Sequence, residues 1–364
     1  MGFNCGIVGL PNVGKSTLFN AITAAGARIA NFPFTTIEPQ VGVVAVPDKR
    51  LDDLAMIFKP PKVIPTTIEF VDIAGLVRNA SKGEGLGNQF LAHIREVDAI
   101  AHVVRCFKNE DVIHVENDLN PRRDIEIVET ELLFRDLDTI EKKLHETEKK
   151  AKSGDKKIKQ EIEFYTKLKN HVGGGKPVRS YKVEETERDH FNYLHLLTNK
   201  PVMYVANVDG DGLTKENEYT QAVRKVANDE GAKVILVDAE MEAEIANMSY
   251  DEREEFLKDL GLAESGLDKV IHEGYGLLNL ITFFTHNEKE LRAWTVTQGT
   301  KAPRAAGKIH TDFERGFIRA EVIKYADLVK YGSEHAIREK GHFAVHGHDY
   351  VVEDGDGIFF RFNV

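Results

Sequence analysis

The sequence predicts an α/β protein on a mostly parallel sheet, interrupted by a helical insertion and followed by a smaller β-rich domain. Three observations carry this prediction. A Gly-rich loop, Gly9-Leu10-Pro11-Asn12-Val13-Gly14-Lys15-Ser16-Thr17, follows a strand-like run and opens a helical one. Short apolar runs alternate with helical stretches over the first 110 residues or so. A gap far too long for one crossover then separates the fourth such run from the fifth. At 364 residues the chain also exceeds one ordinary core, so two or three domains are expected.

The strands of the sheet are expected at Cys5–Gly9, Val41–Val46, Thr67–Val71, Ala99–Val104, Val202–Ala206 and Val234–Val237. In the gap, Ile125, Val128, Leu132, Leu133, Leu137, Ile140 and Leu144 recur at the spacing of one helical face. A turn at Ser153-Gly154-Asp155 and a second periodic stretch, Ile158, Ile162, Tyr165 and Leu168, complete an antiparallel helical hairpin or short coiled coil. Gly173-Gly174-Gly175 ends it, and a third helix near Glu184–Leu197 returns to the sheet. After about Leu278 short strands follow at Arg292–Thr297, Phe317–Ile323, Phe343–Val345, Tyr350–Glu353 and Ile358–Phe362, with little helix between them.

Composition narrows the function classes. Hydrophobic content of 42% beside 29% charged residues describes a soluble globular chain. No apolar run reaches the roughly 18 residues that span a bilayer, and the Gly-rich loop begins too close to Met1 for a signal peptide. Gly6 stands where a myristoylation motif would need Ser or Thr. Cys5 and Cys106 sit in apolar strand contexts, as reduced structural cysteines of a cytoplasmic protein do. The net charge of −11 argues against nonspecific nucleic-acid binding by the whole chain. The hairpin tip is locally different. Lys142, Lys143, Lys149, Lys150, Lys152, Lys156, Lys157 and Lys159 crowd there against Glu146, Glu148 and Asp155. That is either a solvated face laced with ion pairs or a surface that meets RNA.

The Gly-rich loop has the context a phosphate-binding loop needs. Its glycines let backbone N–H groups wrap phosphates, and the helix N-terminus adds its positive dipole end. Lys15 would reach the β- and γ-phosphates and Ser16 would ligate Mg²⁺. Asn12 either suits the turn or helps hold a monovalent cation such as K⁺. Asp72-Ile73-Ala74-Gly75 ends the third strand, so Asp72 can hold a Mg²⁺-bound water and the Gly75 N–H can contact the γ-phosphate. Between the motifs, Phe32-Pro33-Phe34-Thr35-Thr36 offers a second hydroxyl ligand. Together these make a γ-phosphate sensor of the switch type.

Base recognition departs from a guanine reader. An Asn-Lys-x-Asp motif binds guanine with its Asp, but here Asn207-Val208-Asp209-Gly210 puts Gly at that position and Asp one residue early. Losing such a contact costs about 1–3 kcal/mol, which makes adenine at least equally acceptable. Asp238-Ala239-Glu240 stands where such proteins have Ser-Ala-Lys, a second departure. Leu76 occupies the place of the water-orienting Gln, so another group or a partner must assist hydrolysis. His114 is the internal candidate, against the plainer reading of a hydrogen-bonded structural histidine.

On Gly9–Thr17, Asn31–Pro39, Phe70–Leu76, Ser81–Phe90, Asn207-Val208 and Ala306–Phe317, the chain resembles the YchF/Obg-like ATPase family over essentially its full length. The resemblance implies a P-loop G domain at 1–123 and 199–277, an inserted α-helical coiled-coil domain at 124–198, and a C-terminal TGS domain of β-grasp type at 278–364. It further implies Mg²⁺-dependent ATP hydrolysis, ribosome association through the large subunit or the 70S particle, and a regulatory role in translation or stress. On matching positions it places Asn12, Val13, Gly14, Lys15, Ser16 and Thr17 on the phosphates, and Ser16 and Thr36 on Mg²⁺. It also sets Val208 against the adenine, Phe107 beside the base and His114 on the catalytic histidine. Where the family usually carries an acidic residue, this chain has Gly210. Two alternatives remain open: a GTP-hydrolysing translation factor in which Asp209 or Asp211 reaches guanine, and a nucleotide-gated RNA or protein scaffold with incidental hydrolysis.

Overall fold

A computed structural model describes residues 3–27, 41–73, 91, 93–109, 118–151 and 155–363. The chain divides into two compact units, residues 1–44 with 69–270 and residues 45–68 with 271–364.

The sheet of the first unit contains β1 (Asn4–Val8), β2 (Val41–Ala45), β4 (Thr67–Asp72), β5 (Ala99–Arg105), β6 (Val202–Asn207) and β7 (Lys233–Val237); β3 (Lys62–Ile64) belongs to the other sheet. Each expected strand is present to within one residue. The order is β2-β4-β1-β5-β6-β7, and β1 runs parallel to β4 and β5, β5 to β6, and β6 to β7. Every residue of β5 and β6 is buried, so these strands read as continuous apolar runs rather than as alternation. Chain order reverses between β1 and β5, and an open α/β sheet holds its ligand in the crevice beyond such strand ends.

The helices of this unit include α1 (Lys15–Ala27), α3 (Pro121–Lys150), α4 (Lys156–Gly173), α5 (Arg188–Tyr193), α6 (Glu218–Glu230), α7 (Ala239–Ile245) and α8 (Tyr250–Asp259); α2 (Lys49–Phe58) lies in the second unit. The insertion is the expected hairpin. Pro121 begins α3 after an Asn120 cap, and Asp155 caps α4 by accepting from the Lys157 N–H at 2.9 Å, each cap worth about 1 kcal/mol. The apolar stripes meet in a core of Leu133, Ile140, Phe164, Tyr165, Leu168 and Val172. The expected third helix is shorter, since only Arg188–Tyr193 is α-helical.

The second unit corrects the expectation of little helix. α9 (Gly266–Leu277) leads into it, and α10 (Ala302–Ile309), α11 (Thr311–Arg315), α12 (Tyr325–Tyr331) and α13 (Glu334–Glu339) lie among its strands. α10 buries Ala302, Ala305 and Ala306, a face of small residues that gives a weak periodic signal. Its strands are β8 (Leu280–His286), β9 (Glu290–Thr297), β10 (Phe317–Lys324), β11 (Ala344–His346) and β12 (Asp356–Phe362), in the order β11-β10-β12-β8-β9-β3. The β8/β9 hairpin, α10 and the parallel β12/β8 pairing give the β-grasp layout. The expected strand at Tyr350–Glu353 is a loop carrying one bridge, from Val351 to Lys301. Residues 45–68, expected within the G domain, pack with this unit: β3 pairs with β9, and Leu51 and Leu54 of α2 join a core with Phe284, Leu291 and Leu328.

Candidate nucleotide site

The phosphate loop joins β1 to α1. Asn12 (φ 62°) and Gly14 (φ 93°) hold left-handed backbone, a conformation that Gly and Asn tolerate best. A side chain at position 14 would also land on the Asn207 amide, and one at Gly9 would sit 2.6 Å from the Val103 carbonyl oxygen of β5. Lys15, Ser16 and Thr17 fill the first turn of α1, whose N–H groups have no intrahelical partner and form an anion site. Val13 is buried beneath the loop, whereas Asn12, Gly14 and Thr17 line the cleft above it.

The Lys15 ammonium pairs with the Asp72 carboxylate at the end of β4. This brings the strand end to the residue beside Ser16, whose side chain is exposed. A hydroxyl and a carboxylate are hard oxygen donors that suit Mg²⁺. Among the described residues no group of three or more His, Cys, Asp and Glu could hold a metal alone. A cation here would share its shell with phosphate oxygens, which is how Mg²⁺ sits in such sites. Thr36, Gly75, Leu76 and His114 lie outside the described residues.

A cleft of about 450 Å³ runs from Asn12, Gly14 and Thr17 to Phe107, Gly210, Asp238 and Glu240, a volume in the range of small-ligand sites. Asn207 lies on its wall but acts mainly as a brace. Its Nδ2 donates to the Val13 carbonyl at 2.9 Å and its Oδ1 accepts from the Ala239 N–H at 3.1 Å, tying the phosphate loop to the start of α7. Val208 is 1% exposed and forms the floor, with its N–H on the Val237 carbonyl at 2.9 Å. The Asp209 carboxylate turns back to accept from the Gly212 N–H at 3.1 Å, capping its own turn. Asp211 is exposed and off the cleft wall.

The wall bearing Phe107 depends on a residue that the sequence reading missed. Arg105, 3% exposed, donates to the carbonyls of Phe107 and Asn109 at 3.1 and 3.0 Å and lies 5.0 Å from the Phe107 ring centre. Burial lowers the guanidinium from its ordinary value. Asn217 Nδ2 donates to the neighbouring Cys106 carbonyl at 2.8 Å. The available signal was a cation closing an otherwise apolar strand. Cys5 and Cys106 are free and buried, and desolvation pushes both thiols up to about 12, so neither is a nucleophile.

The family model YchF-GTPase_C, described as a protein of unknown function (DUF933), matches residues 280–363, and MMR_HSR1, the 50S ribosome-binding GTPase model, matches residues 4–133. The chain is 55% identical over 364 residues to the ribosome-binding ATPase YchF of Escherichia coli O157:H7, covering 100% of both chains. The chain belongs to the YchF family. It is also 51% identical to the Bacillus subtilis (strain 168) ribosome-binding ATPase YchF, over 366 aligned residues and 100% of both chains. The solved structure of the Schizosaccharomyces pombe YchF GTPase matches with a TM-score of 0.90 at 40% identity, covering 99% of this chain and 98% of that one. The bacterial YchF proteins are named ATPases and the fission-yeast protein a GTPase, so the base end of the cleft must decide between them. Among the described residues no helix is long and apolar enough to cross a membrane.

Proposed function

We propose that this chain is a Mg²⁺-dependent ATPase, preferring ATP to GTP, that binds ribosomes and acts as a cytoplasmic nucleotide switch in translation or stress regulation. The observation that carries the choice of base is the pair Asp209 and Gly210. Asp209 spends one oxygen on capping its own turn, and Gly210, at the position that reads guanine, has no side chain, so this loop does not offer guanine a two-oxygen carboxylate contact. Asn12, Val13, Gly14, Lys15, Ser16 and Thr17 hold the phosphates, with Ser16, Thr36 and a water on Asp72 around the Mg²⁺ and Gly75 on the γ-phosphate. Bound Mg²⁺ neutralises charge on the transferring phosphoryl group. Phe107 and Val208 enclose the base, while Asn207 keeps both ends of the cleft in register. His114 orients the attacking water, Leu76 being unable to. K⁺ beside Asn12 is a secondary feature of the same reading.

Titration with ATP and GTP side by side tests the base choice, and GTP binding at least tenfold tighter sinks it. Turnover with and without ribosomes tests activation. Without a water-positioning Gln, intrinsic rates of about 10⁻⁴ to 10⁻² s⁻¹ are expected, and ribosomes that bind without raising them would remove the activation step. Normal hydrolysis by His114→Ala would remove that residue's role and favour a scaffold.

The RNA contact of the hairpin tip gains support from its lysines. Lys142 pairs with Asp138 and Lys143 lies over Tyr193, but Lys149, Lys150, Lys156, Lys157 and Lys159 are exposed without an ion pair to any described residue. Neutralising Lys149, Lys150, Lys156 and Lys157 should weaken ribosome or RNA binding and flatten its salt dependence. An unchanged slope returns the tip to a solvated face.

A further inference from the structure

Asp238 lies at the end of β7 and caps α7. Its Oδ1 accepts from both the Glu240 and Met241 N–H groups at 3.1 Å. Its Oδ2 accepts no hydrogen bond from a described residue and faces the bare Cα of Gly210, where a Cβ would stand 3.9 Å away. Both residues line the cleft at its base end. At the position that reads guanine the loop after β6 has Gly210, and the loop after β7 presents a carboxylate across the same space.

We propose that Asp238 is the residue that selects the base, its free Oδ2 accepting a hydrogen bond from the exocyclic 6-amino group of adenine. This rests on the ATP reading given above. Chemistry decides between the purines. Guanine offers two adjacent donors, which are read by both oxygens of one carboxylate. Asp238 has one oxygen committed to the α7 N-terminus and a single acceptor left. A lone acceptor matches a lone donor, and the adenine amine is that donor. A guanine placed the same way would set its O6 against an anionic oxygen, and a site that must leave a polar group unpaired rejects the wrong ligand strongly. Glycine at 210 belongs to the same device, because a carboxylate there would lie beside Oδ2 and the two charges would repel.

The test is equilibrium binding of ATP, GTP and purine riboside triphosphate, which lacks the 6-amino group, to the full chain and to Asp238→Ser. Serine keeps an N-capping oxygen for α7 but removes the second carboxylate oxygen. The native protein should bind ATP roughly tenfold tighter than purine riboside triphosphate, and Asp238→Ser should bind the two alike. If the native protein prefers ATP to GTP while Asp238→Ser still separates ATP from purine riboside triphosphate, Asp238 is not the reader and the ATP assignment stands. If the native protein binds GTP tighter, both fall. Equal loss of affinity for all three nucleotides in Asp238→Ser would mark a helix cap alone and also overturn the assignment. Circular dichroism on the same samples separates that loss from unfolding.

Discussion

The two ends of the cleft are built differently. The phosphate end is one contiguous segment, Gly9–Thr17, in which backbone geometry does the work: two left-handed residues, a helix start and one lysine. The proposed base end is gathered from three strand ends, Phe107–Asn109 after β5, Asn207–Gly210 from the end of β6 and Asp238–Glu240 after β7. Every nucleotide carries the same phosphates, so a fixed backbone cradle suffices at one end. Bases differ only in which edge atoms donate and accept, so side chains decide at the other, and those can move between loops. Asn207 is the joint, bonded to Val13 on one side and Ala239 on the other.

Lys15→Ala should produce the largest effect, lowering ATP turnover by about 10²–10³-fold, the order seen when one charge-stabilising group is removed. Its losses for ATP and GTP should be equal, because Lys15 does not meet the base. Any change in the ATP/GTP ratio would show that the two ends are not separable. Asn207→Ala comes next. It leaves the buried Val13 carbonyl and Ala239 N–H without a partner, at about 1–3 kcal/mol, and should weaken both nucleotides roughly tenfold. A loss confined to one nucleotide would make Asn207 a base contact rather than a brace.

The same contrast explains what was legible in the sequence. The phosphate loop could be read because its chemistry is local: a glycine spacing, a lysine and a hydroxyl within nine residues. The buried strands were readable because a sheet covered on both faces demands unbroken apolar runs. What was missed leaves no local signature in residue type or spacing. Arg105 gave no motif, since its partners are carbonyls that any residue supplies. The capture of β3 by β9 joins residues 62–64 to 290–292, and nothing in three strand residues announces that partner. α10 was invisible because its buried face is alanine.

Gly210→Asp restores the guanine-reading carboxylate by position, yet it places that group beside Asp238. The single change should therefore raise GTP affinity little, and Gly210→Asp combined with Asp238→Ser should raise it several-fold more than the sum of the separate changes. Additive free energies in that cycle would show that the two loops do not communicate through charge.

The smallest expected effect concerns the strands that carry the base end. His102 of β5 is 3% exposed and lies against Tyr204 of β6, with ring centres 5.6 Å apart. The Tyr204 hydroxyl donates to Glu230, which with Glu129 flanks Arg179 of the insertion at 2.7 and 3.0 Å. Desolvation first, and the nearby Arg179 charge second, push His102 down to about 3. The folded protein thus holds a neutral imidazole that the unfolded chain protonates below its ordinary value of 6.5. The unfolded state binds the extra proton, so this stability is complete above pH 6.5 and is lost progressively as pH falls toward 3. Between pH 7 and pH 5 the loss amounts to at most about 2 kcal/mol. Glu129 works the other way, since burial raises its carboxyl and favours the protonated folded form. Comparison with His102→Phe isolates the histidine from that opposing group. In urea unfolding at pH 7 and pH 5, the native protein should lose more stability than His102→Phe by about that amount. Equal losses would mean that the imidazole can be protonated in place, and that β5 and β6 hold the base end without requiring a neutral residue between them.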